Sequence, residues 1–194
     1  MTETKKFPLI SGYLSIDLVN TELVRRGQRH DLLLTGKDVL DWLHVVKEEN
    51  PFWDDQLFLK IEERMEQIIS HILDIRAVLR HQYELIADGQ AIPNEFIVFL
   101  EETIEKAPFT YQLWNQQLVP IPVGEIENVL LSLIAFDALS LIAENKLISL
   151  KRCSNQDCVL LFMDKSGRRK WCSMKICGNR QKVARFQHRQ PDDE

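Results

Sequence analysis

The spacing of apolar residues predicts that the first three quarters of the chain is mostly helical. Between residues 54 and 88 apolar side chains recur every three or four positions, the period of an amphipathic helix, and Gly89 is a natural helix end. Thr35–Asp38 has the spacing of a capping box, which predicts a second helix that Asn50–Pro51 would end. A shorter amphipathic helix is expected after Pro93.

Two segments predict other elements. Residues 109–123 alternate apolar and polar side chains around Asn115–Gln116, which indicates a β-hairpin. Residues 125–146 are apolar on nearly every side, as expected for the central helix of a bundle. Residues 13–21 fit the start of either a strand or a helix. Residues 25–30 are interpreted as a solvated loop, with an anion contact through Arg25–Arg26 and Arg29–His30 as the alternative. The predicted fold class is mainly α: a multihelical N-terminal domain with a small β-hairpin or sheet.

The charge is distributed unevenly along the 194 residues. The net charge is −5, yet residues 1–150 hold 13 Lys and Arg against 24 Asp and Glu, a net of −11. Residues 151–194 hold 11 against 5, a net of +6. Such asymmetry predicts separate modules and a polyanionic partner for the basic one. We expect a helical domain at 1–148, a cysteine module at 149–190 and an acidic tail at 191–194.

The hydrophobic runs predict a cytoplasmic protein without a membrane partner. The most apolar run, residues 129–143, is shorter than the roughly 20 residues needed to cross a bilayer, so it is interpreted as a buried core helix. The first residues lack the pattern of a secretory signal. In a reducing cytoplasm, clustered cysteines favour metal binding over disulfides.

The cysteines form a C-x4-C-x13-C-x4-C pattern that predicts a zinc site. The four are Cys153, Cys158, Cys172 and Cys177. Zn²⁺ accepts four thiolates at tetrahedral corners, and four sulfur ligands leave no position for water or substrate, so the site would be structural. Disulfides, free thiols and a redox-active or iron–sulfur site are the alternatives. A segment of about 40 residues buries too little apolar surface to fold alone, so the metal would supply much of its folding free energy.

The residues between the cysteine pairs predict a treble-clef zinc finger. Residues 159–163 would form one strand of a hairpin, residues 164–167 its turn and residues 168–171 the returning strand. A final helix is expected over residues 178–188. On this basis Cys158→Ser should unfold the finger and leave the helical domain intact.

Basic residues lie densely around the cysteines and are candidates for phosphate contacts. Some of them would balance the formal charge of −2 on a zinc ion with four thiolates, and a merely solvated basic face is the alternative to nucleic-acid binding. The predicted nucleic-acid contacts are Arg168, Arg169, Lys170, Lys175, Arg180, Lys182, Arg185 and Arg189.

The sequence lacks patterns typical of enzymes. No two glycines form a G-x-G motif, which excludes Rossmann and P-loop phosphate sites, and no serine lies in a nucleophile elbow. The histidines of the helical domain lack metal-ligand spacing to one another. The protein is therefore predicted not to be an enzyme.

Two stretches of the cysteine module resemble the CGNR zinc-finger family. The first is Cys177-Gly-Asn-Arg180, which follows Arg169-Lys-Trp-Cys-Ser173. The second is Cys153-Ser-Asn-Gln-Asp-Cys158, followed by Leu161-Phe-Met-Asp-Lys-Ser166. The resemblance spans about residues 150–189 and implies that the four cysteines are zinc ligands.

The N-terminal part resembles the ABATE domain that precedes this finger in its family. The similar stretches are Leu14–Thr21, Asp31–Leu34 and Leu40–Leu43. Together the two resemblances imply a bacterial stress-induced transcription regulator with the finger as its DNA-binding part. The N-terminal domain would then sense a small-molecule effector or form a homodimer. A zinc-finger adaptor for other proteins, and a small-molecule sensor that does not touch DNA, remain the alternatives.

Overall fold

The computed structural model describes residues 7–25, 27–49, 55–114 and 116–179, and the architecture is helical with short antiparallel hairpins. The α-helices are α1 Leu14–Val19, α2 Gly36–Glu49, α3 Asp55–Glu63, α4 Met65–Ala87, α5 Asn94–Glu105 and α6 Ile126–Ala143. A 3₁₀ turn spans Lys146–Ser149 and a π-helical turn spans Met174–Gly178. The strands are β1 Glu22–Arg25, β2 Gln28–Asp31, β3 Phe109–Trp114, β4 Gln117–Pro122, β5 Leu150–Arg152 and β6 Leu161–Met163.

Helix α6 is the central helix of the bundle, as its sequence predicts. It packs against α1, α4 and α5, and Leu130, Ile134 and Ala138 are fully buried. With a mean hydropathy of 1.8 over 18 residues, α6 is also long and apolar enough to cross a membrane, a test that the core helix of a soluble protein passes as well. The buried Ser132 hydroxyl donates a hydrogen bond to the Ala107 carbonyl (2.7 Å), which satisfies a polar group within the core.

A buried polar cluster joins α6 to the start of α1. The Asp137 carboxylate accepts hydrogen bonds from the backbone N–H of Ser15 (2.8 Å) and from its hydroxyl (2.5 Å). The Ser15 hydroxyl also lies 2.7 Å from the hydroxyl of Tyr83 on α4. Burial raises the pKa of Asp137, and the contacts with Ser15 offset part of this effect. One cluster therefore links three helices of the bundle.

Local sequence signals set the ends of the helices. At the start of α2 the Thr35 hydroxyl accepts from Asp38 N–H (3.3 Å), and the Asp38 carboxylate accepts from Thr35 N–H (3.0 Å), which confirms the capping box. After α4, Gly89 takes a φ of +90° and its N–H donates to the Ile86 carbonyl (2.9 Å). The predicted helix end at Asn50–Pro51 lies outside the described residues.

Two predicted segments differ in the structure, and the structure settles a third that the sequence leaves open. The single long helix over residues 54–88 is two helices, α3 and α4, which are separated at Arg64. Of the two alternatives for residues 13–21, the structure has the helix, α1 at Leu14–Val19. The segment interpreted as a solvated loop forms the β1–β2 hairpin, in which Gly27 has a φ of +76°. Its acidic residues Glu22 and Asp31 pair with arginines of helix α4, and a local sequence pattern does not show such distant partners.

The β3–β4 hairpin confirms the alternation of residues 109–123. Phe109 lies opposite Pro122, and Leu113 lies opposite Leu118. The base of the hairpin is fixed to the bundle, because the Phe109 ring lies 4.7 Å from the Phe136 ring on α6. Further along the hairpin the side chains of Tyr111, Leu113 and Leu118 are exposed.

The strand pairing of the cysteine module differs from the prediction. Strand β6 pairs with β5 in an antiparallel ladder, so residues 168–171 are not its partner strand. The link to the returning segment is the Ser154 N–H, which donates to the Lys170 carbonyl (2.9 Å). The final helix predicted over residues 178–188 lies, apart from its first residues, outside the described part of the chain.

Removal of the Thr35 hydroxyl tests the capping box. Thr35→Ala should lower the free energy of unfolding by about 1 kcal/mol, because the Asp38 N–H at the start of α2 loses its side-chain acceptor and the Asp38 carboxylate loses the Thr35 hydroxyl donor. Thr35→Ser keeps the hydroxyl and should stay close to wild type. Urea unfolding followed by circular dichroism measures both variants. Equal losses in both would contradict a role for the cap.

Candidate metal centre

Four cysteine thiols meet at one point in the C-terminal module. Cys153 follows β5, Cys177 lies in the π-helical turn, and the Sγ atoms of these two, Cys158 and Cys172 all lie within 4.8 Å of one another. The Sγ atoms of Cys158 and Cys172 are 3.8 Å apart. Tetrahedral zinc with Zn–S distances of about 2.3 Å requires S–S separations of about 3.8 Å. The four thiols are therefore able to bind one zinc ion.

Hydrogen bonds to the hydroxyl and the carbonyl of Ser173 hold the last ligand in place. The Ser173 hydroxyl accepts from Ile176 N–H (3.0 Å), and its carbonyl accepts from Cys177 N–H (3.1 Å), so the π-helical turn is closed from its start. Gly178 follows, and a Cβ at this position would lie 2.5 Å from the Met174 sulfur. The chain therefore needs a residue without a side chain beside the fourth cysteine, unless Met174 moves away.

Donors surround the sulfur atoms, as a thiolate cluster requires. The Asn155 amide donates to Cys177 Sγ (3.5 Å), and Cys172 N–H donates to Cys153 Sγ (3.4 Å). Hydrogen bonds from Cys158 and Cys172 lower the pKa of Cys153, and the same sharing raises the pKa of the two donors. Zinc binding displaces the protons that these thiols share. The affinity of the site for zinc therefore depends on pH.

The thiols are enclosed by a small apolar core. Leu160 and Phe162 are buried against the cysteines, and Trp171 packs at their edge. Two residues of the N-terminal part, Ile10 and Leu23, complete this core. Because apolar side chains and four sulfur atoms surround the site, its arrangement suits a metal that stabilises the fold.

The predicted phosphate contacts occupy different environments. The Arg169 guanidinium donates to the carbonyls of Trp171 and Cys172 and lies 4.5 Å from the centre of the Phe162 ring, so it braces the metal core. Arg168, Lys170 and Lys175 are exposed beside the cysteines. The remaining candidates lie outside the described residues: Arg180, Lys182, Arg185 and Arg189.

Asn20 forms a link between the N-terminal part and the cysteine module that sequence analysis missed. Its side-chain amide donates to the Leu161 carbonyl (2.9 Å), and its side-chain oxygen accepts from Leu161 N–H (2.9 Å). Both residues are fully buried. The Asn20 amide thus forms the pair of hydrogen bonds to the backbone of β6 that a neighbouring strand would form. Its partner lies 141 residues away in sequence, so no local pattern shows it.

Helix α4 contributes two buried arginines that sequence analysis also missed. Arg76 donates to both oxygens of Asp31 (2.7 and 2.5 Å), and Arg80 Nε lies 2.5 Å from Glu22 Oε2. Burial opposes ionisation of Asp31, but the hydrogen bonds and charge of Arg76 outweigh it and lower the pKa of Asp31. Arg76 and Arg80 fall on the apolar face of α4 that packs against the core. Two arginines on an apolar helix face are the sequence feature that could have identified them.

The arginines of this region also bridge to the cysteine module. Arg80 donates to the Val159 carbonyl (3.2 Å), two residues before β6 begins. From β5, the Arg152 guanidinium forms two hydrogen bonds to the Asp88 carboxylate (2.7 and 2.9 Å) at the end of α4. Arg152 is therefore engaged by the acidic domain, although it belongs to the basic module.

Asp17 holds the segment that leads to the metal core. Its carboxylate accepts from the backbone N–H groups of Ile10 (3.2 Å), Ser11 (3.0 Å) and Gly12 (3.1 Å). Burial raises the pKa of Asp17 to about 6, against the opposing effect of these hydrogen bonds. Because Ile10 packs on the cysteine core, Asp17 fixes one side of that core.

Fold and site together define a zinc-finger protein with a helical N-terminal domain. Residues 149–190 match the CGNR zinc finger. Residues 12–145 match ABATE, a family described as "putative stress-induced transcription regulator". The chain belongs to the ABATE family, and the predicted resemblance to both is confirmed. No curated protein matches the chain. Neither matching family is an enzyme family.

The raised pKa of Asp17 predicts a specific pH dependence. The unfolded carboxyl titrates near 3.8 and the folded one near 6, so the folded state binds more protons between these values. Stability therefore falls as pH rises from about 4 to 6. The Asp17→Asn variant cannot titrate at this position. The free energy of unfolding of the wild type, minus that of this variant, should therefore fall across this window by up to about 3 kcal/mol.

Urea unfolding of both proteins at pH 4 and pH 7 measures this difference. Other titrating groups cancel, because they are common to the two proteins. If the difference in free energy of unfolding between the two proteins stays constant or grows with pH, the raised pKa of Asp17 is wrong.

Zinc removal should destabilise the helical domain as well as the finger. The finger's strand β6 contributes Leu161 and Met163 to the core of the helical domain, which changes the expectation that Cys158→Ser leaves that domain intact. Each kcal/mol lost lowers Tm by about 2–4 °C in a chain of this size, so we expect a drop of more than roughly 5 °C.

Thermal scans of the helical circular dichroism signal, with zinc and with chelator, measure the effect beside metal analysis of the purified protein. Cys158→Ser should match the chelated wild type and should not respond to chelator. Absence of zinc from the wild type, or an unchanged helical transition, would refute the coupling.

Proposed function

We propose that this protein is a cytoplasmic transcription regulator that binds DNA through its CGNR finger. One structural zinc ion would be held by Cys153, Cys158, Cys172 and Cys177. The observation that carries the proposal is a closed four-cysteine cluster with exposed Arg168, Lys170 and Lys175 beside it. The match to a transcription-regulator family supports the same function.

The charge distribution supports contact through the finger alone. Residues 1–150 carry a net charge of −11, so the helical domain repels a phosphate backbone, whereas residues 151–194 carry +6. The Asp88 carboxylate already engages Arg152, so basic residues elsewhere in the module would meet DNA. DNA would therefore approach the side of the finger that faces away from α4.

The zinc ion would act on DNA indirectly, by folding the surface that carries these cations. The cluster has four sulfur donors and an apolar enclosure, so the chemistry that zinc supplies is a fixed tetrahedral link between distant chain segments. Arg169 is committed to Trp171 and Cys172, and we assign it to bracing this link. Arg168, Lys170 and Lys175 remain as the described phosphate contacts.

The helical domain would act as the sensing or dimerising part of the regulator. Its contacts with the finger support this role, because Asn20, Arg80 and Asp88 all bond residues of the cysteine module. A small-molecule effector that shifts α1 or α4 would thereby displace β6 and the zinc ligands beside it.

Titration of a DNA duplex at rising salt tests the proposed DNA binding. Each phosphate contact contributes a slope of about −0.9 in log K against log salt, so affinity should fall steeply. Lys170→Gln should reduce the slope by about 1, since it removes one contact. Lys37→Gln is the matched control, because Lys37 is exposed on the helical domain, where it pairs with Asp41.

Salt-independent binding, or none, would refute the DNA proposal. If Lys37→Gln changes the salt slope as much as Lys170→Gln does, the DNA contact is not specific to the finger, and the proposal is wrong. If the finger captured a protein instead, and the capture survived nuclease treatment, the adaptor alternative would replace this function.

A further inference from the structure

The β3–β4 hairpin carries an uncharged apolar surface away from the bundle. Residues 109–123 hold no charged side chain, in a chain of which 27% is charged. Alternation puts Tyr111 and Leu113 on one face, with Leu118 opposite Leu113 on the neighbouring strand. These three side chains are exposed by 62%, 74% and 70% respectively. Contiguous exposed apolar side chains on one face mark an interaction surface.

The hydrogen-bond ladder shows which backbone groups point outward. Val123 N–H donates to the Pro108 carbonyl (2.8 Å), so this pair is hydrogen-bonded. Bonded and non-bonded pairs alternate along an antiparallel ladder, and residues of non-bonded pairs turn their N–H and C=O groups away from the partner strand. The non-bonded pairs are Phe109–Pro122, Tyr111–Pro120 and Leu113–Leu118.

The two edges of the hairpin differ in their capacity to pair. Pro120 and Pro122 occupy outward positions of β4 and have no N–H, so the β4 edge is largely closed to another strand. Phe109, Tyr111 and Leu113 occupy the outward positions of β3 and keep their N–H groups. Within the ranges that the structure describes, β3 pairs with β4 alone. The β3 edge is thus a strand edge without proline or charge to block it.

We propose that a second copy of this chain adds its β3 antiparallel to β3 and forms a four-stranded sheet across a two-fold axis. The axis would pass beside Tyr111, so that Tyr111 meets the same residue of the second copy and Phe109 meets Leu113. Every outward backbone group of β3 then finds a partner, and the exposed leucines of both hairpins share one sheet face.

The charge of the chain argues for a second copy as the occupant. Two helical domains of net charge −11 repel each other, and the hairpin is a neutral surface through which two copies can meet without apposing like charges. A two-fold axis brings the same outward residues of β3 together from both copies, and because β3 carries no charged side chain, no like charges meet there. This pairing deepens the dimerising role proposed above.

The size of the contact sets the expected affinity. Six residues of strand span about 20 Å, so edge pairing covers less than the roughly 800 Å² per partner of a standard interface. We therefore expect dissociation in the micromolar range. Sedimentation equilibrium of the full zinc-loaded chain, without DNA, measures it, so its outcome is separate from that of the DNA titration.

A pair of proline variants at directly opposed positions tests the edge. Leu113→Pro removes an exposed leucine and an outward N–H from β3, and it should shift the micromolar equilibrium to monomer. Leu118→Pro makes the same change on β4, where the edge is already closed. This variant should still dimerise, with a smaller loss of dimer affinity than Leu113→Pro. A monomeric wild type, a dimeric Leu113→Pro variant or equal loss in both variants would each overturn the proposal.

Charged variants at Tyr111 test the two-fold axis and do not depend on proline in a strand. Tyr111→Glu and Tyr111→Lys should each be monomeric, because like charges meet at the axis. A mixture of the two should dimerise again as a heterodimer. If each variant is monomeric and the mixture stays monomeric as well, the two-fold pairing about Tyr111 is wrong.

Discussion

Strand β6 belongs to two cores at once, and the rest of the structure depends on this arrangement. Leu161 and Met163 face the core of the helical domain, whereas Phe162 between them faces the cysteine core. A strand alternates its side chains between two faces, so three residues are enough to tie both cores together. Asn20 then binds the backbone of Leu161 from the side that β5 leaves open.

The polar contacts around β6 explain why acidic and basic modules stay together. Buried ion pairs contribute little net stability, because desolvation offsets their attraction, but loss of one partner leaves a costly unpaired charge. Arg76 and Arg80 of α4 are held by Asp31 and Glu22 of the β1–β2 hairpin. Together with Arg80 on Val159 and Arg152 on Asp88, these contacts specify one arrangement of finger against helix.

Features that depend on neighbouring residues could be predicted from the sequence. The Thr35–Asp38 capping box, the apolar helix α6, the β3–β4 hairpin and the cysteine spacing each involve a short segment, so their pattern is complete within it. The charge division between the helical domain and the finger is likewise plain from composition. Family resemblance added the order of the two domains.

Features that depend on distant residues could not be predicted. Strand β6 pairs with β5 instead of the nearer residues 168–171, because β5 lies beside α4 and offers the second core for Leu161 and Met163. The sequence of the β1–β2 hairpin predicts a solvated loop, since the residues that stabilise the hairpin, Arg76 and Arg80, follow about 50 positions later.

Hydrogen exchange of backbone amides with and without zinc tests the shared strand most directly. The Leu161 amide is bonded to Asn20, and α1 and α4 surround this contact. If β6 ties the two cores together, chelation of zinc will reduce protection at Leu161 and also in α1 and α4. Loss of protection confined to residues 149–179 would contradict the account, because the finger would then unfold without the helical domain.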